Sequence, residues 1–510
     1  MSGRPGPELG RRQALAALVG AAVWAASGCS TGSSAERSSS TTARAAAGAG
    51  PDSNGLPDTD TMMGWIEDIV ARGIRRPGYE ADTWTEGFVV DRLREMGLDV
   101  RTEPVTVTRW EPRRWSLTVT PEGATPFELD CSPLPYAAPT AGIELDLVRH
   151  DPEAPTTVAG HAALVDARLA RLPADAVAGL GSVPDDLAGR IYDPDGTLTG
   201  QEHVLPHTAQ RNRIADHVFE TGAAAFIGTL LDHPSDSHRY FVPYHGEPLP
   251  GPGVWISGSD GEHLHDLLAR GPVRVRLEVE STSESFESHT VIADLPGADD
   301  DVVLIGSHHD GPWASAVEDG TGIALVLAQA AHWATVPRER RPHHLRFVLH
   351  AGHMCGGAGH DAYVRDHADE LARIVLAVHL EHAALDTVGR DGAVVPGPCV
   401  PRWFFTSRIP ELETTVSSAI EAADLRRSML VAPDALGPNP PTDAAHFHEL
   451  GVPIVQLLTA PWYLFDAADT IDKVDRQALV PIGKATIEII DSTAGTTAAQ
   501  MRAALPRPPE

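Results

Sequence analysis

The sequence is short of positive charge. Its 40 lysines and arginines are outnumbered by 70 aspartates and glutamates, which gives a formal net charge of −30. A protein that binds nucleic acid needs a basic face for the phosphates. The charge balance therefore excludes nucleic acid as an expected partner, and beyond solubility it carries no information about the fold.

Cysteine is also scarce, and only Cys29, Cys131, Cys355 and Cys399 occur. Cys29 lies in an N-terminal segment that is not part of the fold, so three cysteines remain. An odd number allows at most one disulfide within the chain, and outside the cytoplasm Cys131 and Cys399 are a conceivable pair. We expect Cys355 to be a buried thiol and not a nucleophile, because only His353 stands near it as a candidate base.

Long apolar segments are missing after the N-terminus. The early run at residues 14–26 is shorter than the about 20 residues that span a bilayer, but it suits the core of an export signal. Arg11-Arg12 precede it and resemble a twin-arginine leader, and residues 26–29 resemble a lipobox that ends in Cys29. We expect an exported protein that is lipid-anchored to the cell envelope through Cys29, or secreted if ordinary signal peptidase cuts nearby. That anchor is the only membrane contact we expect.

The predicted pattern of secondary structure changes along the rest of the chain. Between about residues 138 and 285, short β-like runs separated by glycine, proline and aspartate predict a small β-rich insert, whereas strand–helix alternation follows it. At 510 residues the chain is too long for one compact domain. The expected organisation is an export signal at 1–29, a disordered Ser/Ala/Gly-rich linker at 30–57, an N-terminal part of the main domain at 58–137, the insert at 138–285, the catalytic core at 286–495 and a flexible tail at 496–510.

Four apolar runs in the last third of the chain are typical of buried strands, at residues 302–306, 345–351, 374–380 and 453–458. Helical patterns lie between or after them, at residues 322–336, 360–367, 411–423 and 480–492. This alternation predicts an α/β fold with a mainly parallel central sheet covered by helices on both faces. In such sheets the chemistry lies at the carboxyl ends of the strands.

Histidines and carboxylates cluster beside these predicted strand ends. They are His308, His309, Asp310 and Glu318 after the first strand, His353 after the second, His379, Glu381 and His382 around the end of the third, and Asp443, His446 and His448 before the fourth. Imidazole and carboxylate together suit zinc, and a nearby carboxylate can hold a histidine's second nitrogen. One such histidine is ordinarily a solvated or hydrogen-bonded residue, but several at successive strand ends of one sheet predict a metal site.

The same stretches carry a family resemblance. The segments GSHHD, SAVEDGTGIALVLAQA, AGHMCGGAGHDAYV, HELGVP and ADTIDKVD resemble metallopeptidase family 28, the di-zinc aminopeptidases related to carboxypeptidase Q and glutaminyl cyclase. The resemblance covers most of the mature chain, and the insert resembles a protease-associated domain. It implies a zinc-exopeptidase fold and a metal-dependent hydrolase of peptide or other amide bonds, with an aminopeptidase-type exopeptidase as the default. The substrate would be a peptide or a small amide.

The resemblance also implies a set of metal ligands. The family's first histidine falls on His308, and its orienting aspartate falls on Asp310. Glu318 and Glu381 stand where the family has metal-binding aspartates, and each keeps the charge on a side chain that is one methylene longer. The resemblance therefore predicts a metal ion held by His308, Glu318 and Glu381.

The ligands of the family's second metal are replaced. His353-Met354 stand where the family has its Glu-Glu pair, and Phe465 stands where it has its last histidine. A thioether is a poor zinc ligand and a phenyl ring is none, so we expect one zinc ion and a lost second site. His353, with an unperturbed pKa of about 6.5, is then the predicted general base. His382 and His446 are spare imidazoles that would be available to rebuild a second or altered site.

Two alternatives remain open from the sequence. The replaced Glu-Glu pair is compatible with a catalytically inactive pseudo-peptidase that binds a peptide or an envelope partner. The fold is also compatible with other amide chemistry, such as the cyclisation of amino-terminal glutamine.

Overall fold

The computed structural model describes residues 53–176, 190–206, 213–390 and 393–506. The predicted export signal with Cys29, and the predicted linker up to residue 52, lie outside these residues. From Ser53 onward the chain forms one compact unit. Within the described ranges, no helix has both the length and the apolar content needed to cross a membrane.

Most of the helices bury one side, whereas α5 (Gly322–Thr335) is buried nearly all round. They are α1 (Thr59–Val70), α2 (Glu80–Glu95), α3 (Ile214–Glu220), α4 (Gly258–Arg270), α5 (Gly322–Thr335), α6 (Ala358–Asp366), α7 (Pro410–Ala422), α8 (Ala445–His448), α9 (Arg476–Asp491) and α10 (Ala498–Ala503). In α1, for example, Asp58 caps the first turn by accepting from the Thr61 backbone N–H at 2.9 Å. The α1 side chains Met62, Ile66 and Ile69 are fully buried.

The strands are of two kinds, long ribbons and short buried strands. They are β1 (Asp99–Pro121), β2 (Phe127–Leu129), β3 (Ser132–Pro133), β4 (Thr140–Arg149), β5 (Ala162–Arg168), β6 (Arg171–Pro173), β7 (Ile191–Tyr192), β8 (Glu202–Val204), β9 (Ala225–Leu231), β10 (Gly253–Ser257), β11 (Val273–Leu295), β12 (Val302–His308), β13 (His344–His350), β14 (Ile374–Leu380), β15 (Leu385–Arg390), β16 (Ala393–Cys399), β17 (Arg402–Thr406), β18 (Ser428–Val431) and β19 (Ile454–Leu458). Every residue of β12 and β14 is buried, as expected for parallel strands covered on both faces.

In the described residues, fifteen strands form one sheet, with the order β3-β10-β9-β5-β4-β11-β13-β12-β14-β19-β17-β18-β7, with β1 beside β11 and with β2 beside β1. The segment β13-β12-β14-β19 is parallel throughout. Alternate residues of β12 enter different apolar clusters. Val303 and Ile305 share one with α5, whereas Val302 and Leu304 share another with Tyr363 of α6 and Phe447 of α8. Helices therefore cover both faces, and the predicted α/β fold class is confirmed.

The predicted elements of the catalytic core agree with the structure to within a few residues. The strand predicted at residues 302–306 is β12, and the helix predicted at residues 322–336 is α5. β17 and β18 were not predicted, although both are fully buried.

The region of the predicted insert is not separated from the core by a linker. β11 crosses the predicted boundary at 285/286 without a break, and it pairs with β1 along its whole length, with one irregularity between Pro112 and Arg114. One half of β11 pairs with β4 and the other half with β13. The strands of the insert region thus continue the sheet of the core.

Two further expectations differ from the structure. The predicted flexible tail from residue 496 contains α10, which a Thr497–Gln500 capping box begins and which the buried Met501 anchors. Cys131, Cys355 and Cys399 are free thiols, so the conceivable Cys131–Cys399 disulfide is not formed. Cys355 is buried as expected, and burial raises the pKa of its thiol to about 12.

Candidate metal centre

The carboxyl ends of three neighbouring parallel strands bring the predicted ligands together. His308 ends β12 in register with His350 at the end of β13. Gly306 of β12 pairs with His379 of β14, and Glu381 and His382 follow β14 directly. The sheet therefore collects residues that lie more than seventy positions apart in the chain, as its parallel topology requires.

A buried arginine from the N-terminal segment shapes the loop between β12 and α5. The Arg75 guanidinium is fully buried and donates to the backbone carbonyls of His309 at 2.8 Å, Ala314 at 2.6 Å, Ser315 at 3.1 Å and Glu318 at 3.2 Å. Since one planar group holds four carbonyls, it fixes the path of the loop that carries Glu318. The sequence analysis did not identify this residue.

His308, Glu318 and His382 form the buried centre of the site. Their side chains are at most 3% exposed. The Nε2 atom of His308 lies 3.4 Å from Glu318 Oε1, and the Nε2 atom of His382 lies 2.6 Å from Glu318 Oε2. Neither nitrogen has a hydrogen-bond partner with acceptable geometry among the described residues. Ring nitrogens and carboxylate oxygens that converge without hydrogen-bonding one another are arranged as metal ligands are.

The charges of this centre depend on one another. Burial opposes ionisation of Glu318, but His382 and His308 together hold its pKa well below the usual range. Burial likewise opposes protonation of His382, but Glu318 raises its pKa to about 9. Glu318 is therefore a carboxylate at neutral pH, as a metal ligand must be.

Glu381 lies in the same cavity with its carboxylate held by neighbours. Thr442 Oγ1 donates to it at 2.8 Å, and Gln456 Nε2 donates to Oε1 at 3.0 Å. Burial, reinforced by the charge of Asp443, raises the pKa of Glu381 to about 7. The side chain is positioned beside Glu318 and His382, and its role as the third metal ligand stays a prediction.

His353 is not the isolated imidazole that the sequence predicts. Its Nδ1 lies 2.7 Å from Asp443 Oδ1, and its ring stacks on that of His308 with the centroids 4.1 Å apart. Burial alone would lower the pKa of His353, but Asp443 outweighs burial and raises it to about 10. The ring is therefore protonated at neutral pH unless a cation binds nearby, which corrects the assumption of an unperturbed pKa. Asp443, 90 residues away in the chain, was not identified as its partner.

Asp310 contacts His308 through its main chain, whereas its carboxylate binds elsewhere. The Nδ1 atom of His308 lies 2.9 Å from the main-chain oxygen of Asp310, whereas the Asp310 carboxylate is 3.9 Å away. That carboxylate accepts instead from the backbone N–H groups of His353 at 3.0 Å and Met354 at 2.7 Å. Asp310 therefore orients His308 through its backbone and fixes the turn that presents His353.

The positions that replace the family's second-metal ligands are occupied by apolar groups. The Met354 side chain is fully buried. Phe465 stacks on Tyr244 with centroids 4.9 Å apart, and Tyr244 in turn stacks on His353. Aromatic rings thus line this side of the cavity, where the family's last histidine would stand.

His446 lies at the edge of the cavity, away from His382. Its Nδ1 is 2.8 Å from Asp361 Oδ1, and its side chain is 24% exposed. Of the two spare imidazoles in the sequence, His382 therefore joins the buried centre, whereas His446 does not.

These groups line one cavity of about 270 Å³. Its polar wall includes Glu318, His353, Glu381, His382 and Asp443. Its apolar wall is formed by Pro206, Tyr244, Leu458, Ala460, Leu464 and Phe465. A cavity of this size, just below the usual 300–1,000 Å³ of ligand pockets, accommodates a residue or two of a peptide.

The core is similar to known peptidases. Residues 290–490 match the profile of Peptidase family M28. A probable leucine aminopeptidase 2 of Aspergillus oryzae is 29% identical over 211 residues, 39% of each chain. Another, of Aspergillus fumigatus, is 30% identical over 229 residues, 42% of each chain. The chain thus matches about two fifths of the length of these curated relatives.

Solved structures match over more of the chain. A Peptidase M28 precursor from Shewanella amazonensis aligns with a TM-score of 0.64 and 23% identity, covering 88% of this chain and 95% of that one. A zinc aminopeptidase from Bacillus subtilis aligns with a TM-score of 0.59 and 17% identity, covering 86% and 96%. Residues 290–490 thus resemble Peptidase family M28, and the fold of most of the chain is shared with these structures.

Proposed function

We propose that this protein is a metal-dependent hydrolase of peptide bonds, of the aminopeptidase type, with an altered metal site. The observation that carries the proposal is the buried set of His308, Glu318 and His382, whose ring nitrogens and carboxylate converge without hydrogen-bonding one another. The M28 domain and the aminopeptidase names of the matched proteins support the same reaction class.

The donors in the cavity fit zinc. Two imidazoles and a carboxylate are a known ligand set for catalytic zinc, which leaves a position open for substrate. His308, Glu318 and the predicted Glu381 would hold the ion, with His382 as a donor that this chain adds to the family's pattern. A zinc ion bound there would supply Lewis-acid polarisation of the substrate carbonyl. The hydrolytic site would hold one ion, since Met354 and Phe465 provide no ligands for a second.

The surrounding residues would move the protons. Asp443 keeps His353 oriented over His308 and favours its protonated form. In its deprotonated form, His353 would accept a proton at Nε2 from the attacking water and then pass that proton to the leaving amine. Glu381, with its pKa near 7, is the second group in the cavity that can exchange a proton at neutral pH.

The shape of the cavity favours an exopeptidase. The stacked rings of Phe465 and Tyr244 form an apolar wall opposite the carboxylates. We infer that a terminal residue of a peptide enters this space, with its amino group near the acidic side of the cavity.

A panel of aminoacyl-p-nitroanilides and dipeptides tests the function. We expect hydrolysis that a chelator abolishes and zinc restores, and that Glu318→Gln removes while the protein stays folded. Zinc binding without any hydrolysis would favour a pseudo-peptidase. Cyclisation of a peptide with amino-terminal glutamine, without hydrolysis, would favour glutaminyl-cyclase chemistry instead.

We further propose that the protein is exported, with Cys29 as its lipid anchor, and that residues 138–285 act as a protease-associated-like insert. The sequence of residues 1–29 is the support for export. Fractionation of cells that produce the full chain tests the anchor. Release of the protein from the membrane fraction by Cys29→Ser is expected, and unchanged distribution would contradict the proposal.

A further inference from the structure

A second group of histidines lies within the sheet end, outside the centre described above. His350 ends β13, His379 lies near the end of β14, and His360 lies in α6. One ring nitrogen from each lies within 4.8 Å of the others, and all three side chains are fully buried. None of these residues belongs to the ligand set of the hydrolytic site.

We propose that His350, His360 and His379 form a second metal-binding site for a divalent transition metal such as zinc. This second site is supported by the hydrogen bonding of the cluster: all six ring nitrogens of the three histidines lack a hydrogen-bond partner among the described residues. A buried polar group without a partner costs about 1–3 kcal/mol, so one unpaired ring is tolerable whereas three adjacent ones require a common partner.

The surroundings of the cluster agree with a bound cation. Asp443 Oδ2 lies 3.0 Å from His360 Nε2, and neither atom has a hydrogen bond of acceptable geometry. Asp443 therefore places one negative charge against the cluster with its second oxygen directed at His353. A buried carboxylate beside a cation offsets part of the cost of burying both charges.

The backbone leaves room for the rings. A Cβ atom on Gly306 would lie 3.0 Å from the Nε2 atom of His379, closer than side chains normally approach. Glycine at this position of β12 therefore lets the His379 ring lie flat across the strand. The rings of His350 and His360 stack with centroids 3.8 Å apart, and both centroids are 6.2 Å from that of His379.

The donor type specifies the class of metal. Neutral imidazoles suit zinc, cobalt, nickel and copper, and three of them hold a catalytic zinc in other proteins. Magnesium and calcium prefer oxygen ligands and would not be selected here. An ion can approach from the cavity, because His446 and Gly357 line it and the His446 ring stacks on that of His360 at 5.1 Å.

The test separates this site from the hydrolytic one. In the mature protein, the double variant His308→Ala/Glu318→Gln disables the first site, and zinc content is measured by mass spectrometry after dialysis against zinc. We expect one ion per chain to remain in the double variant. Adding His360→Asn should remove it, whereas adding His446→Asn should not. His446 is a matched control because it is a neighbouring imidazole with a hydrogen-bond partner of its own.

A second measurement needs no variant. Anomalous diffraction at the zinc edge from wild-type crystals should show an ion about 2.0–2.1 Å from nitrogens of His350, His360 and His379. The proposal would be overturned if the crystals showed only water between the rings. It would also be overturned if adding His360→Asn left the zinc content of the double variant unchanged. The result does not depend on hydrolysis, so it can fail or hold independently of the proposed function.

Discussion

The strongest structural prediction concerns Arg75. Replacing it with methionine keeps an unbranched apolar stem but removes the donors to four backbone carbonyls, those of His309, Ala314, Ser315 and Glu318. Burial lowers the pKa of this guanidinium, and nearby carboxylates, led by that of Asp319, oppose the effect. The variant thus leaves carbonyls without donors and carboxylates without their cation.

The expected loss of stability follows from these contacts. Removing one member of a buried charged network typically costs about 3–5 kcal/mol. An unfolding entropy of about 2.1 cal/mol/K per residue amounts to about 1 kcal/mol/K over some 450 residues, so the melting temperature should fall by about 3–5 °C. The loop that carries Glu318 should also be less well positioned, and zinc affinity should fall by about 10–100-fold.

Calorimetry of the metal-free protein measures the fall in melting temperature, and zinc titration measures the fall in zinc affinity. Arg365→Met is the control, because the Arg365 side chain is 68% exposed and pairs only with the adjacent Asp366. It should leave both quantities unchanged. If Arg75→Met melts and binds zinc like Arg365→Met, the buried guanidinium does not hold the metal loop and the reasoning is refuted.

Three other predictions follow from the same contacts. Burial opposes protonation of His309, but Asp82 raises its pKa to about 9, so this pair should stabilise the fold fully below pH 6.5 and be lost as the pH rises through 9. In Asp82→Asn, the melting temperature measured between pH 6 and 10 should no longer fall for this reason as the pH rises. If the melting temperature of the variant depends on pH as that of the wild type does, the pair does not make this contribution. Glu318→Gln should weaken zinc binding by at least about 100-fold, or about 2.7 kcal/mol, in a competition titration, whereas the exposed Glu411→Gln should match the wild type. Zinc at about 100 times its dissociation constant should stabilise the wild type by about 2.7 kcal/mol, and equal melting temperatures with and without chelator would contradict a bound ion.

The fold of the core could be predicted from the sequence because buried parallel strands consist of consecutive apolar residues. β12 and β14 are continuous stretches of such residues, and His308 and Glu381 follow from where these strands end. The long β1–β11 ribbon was harder to predict from the sequence, because buried and exposed residues alternate along it and its outer positions carry charges. The domain boundary was accordingly placed inside β11.

The partners of the site residues could not be predicted, because they are distant in the chain. Asp443 meets His353 across 90 positions, and Arg75 meets His309 across 234. A pattern of local spacing contains no information about such pairs. One partial signal was present, since His350 and His379 lie at the ends of two predicted strands, whereas His360 begins a predicted helix.

We propose that His308 and Glu318 hold a metal ion that hydrolysis requires. The most direct test compares the mature wild type with the His308→Ala/Glu318→Gln variant, recording zinc per chain and hydrolysis of leucine p-nitroanilide on the same samples. We expect one ion fewer per chain in the variant, together with loss of hydrolysis and an unchanged fold by circular dichroism. Equal zinc content, or hydrolysis that persists in the variant, would contradict it.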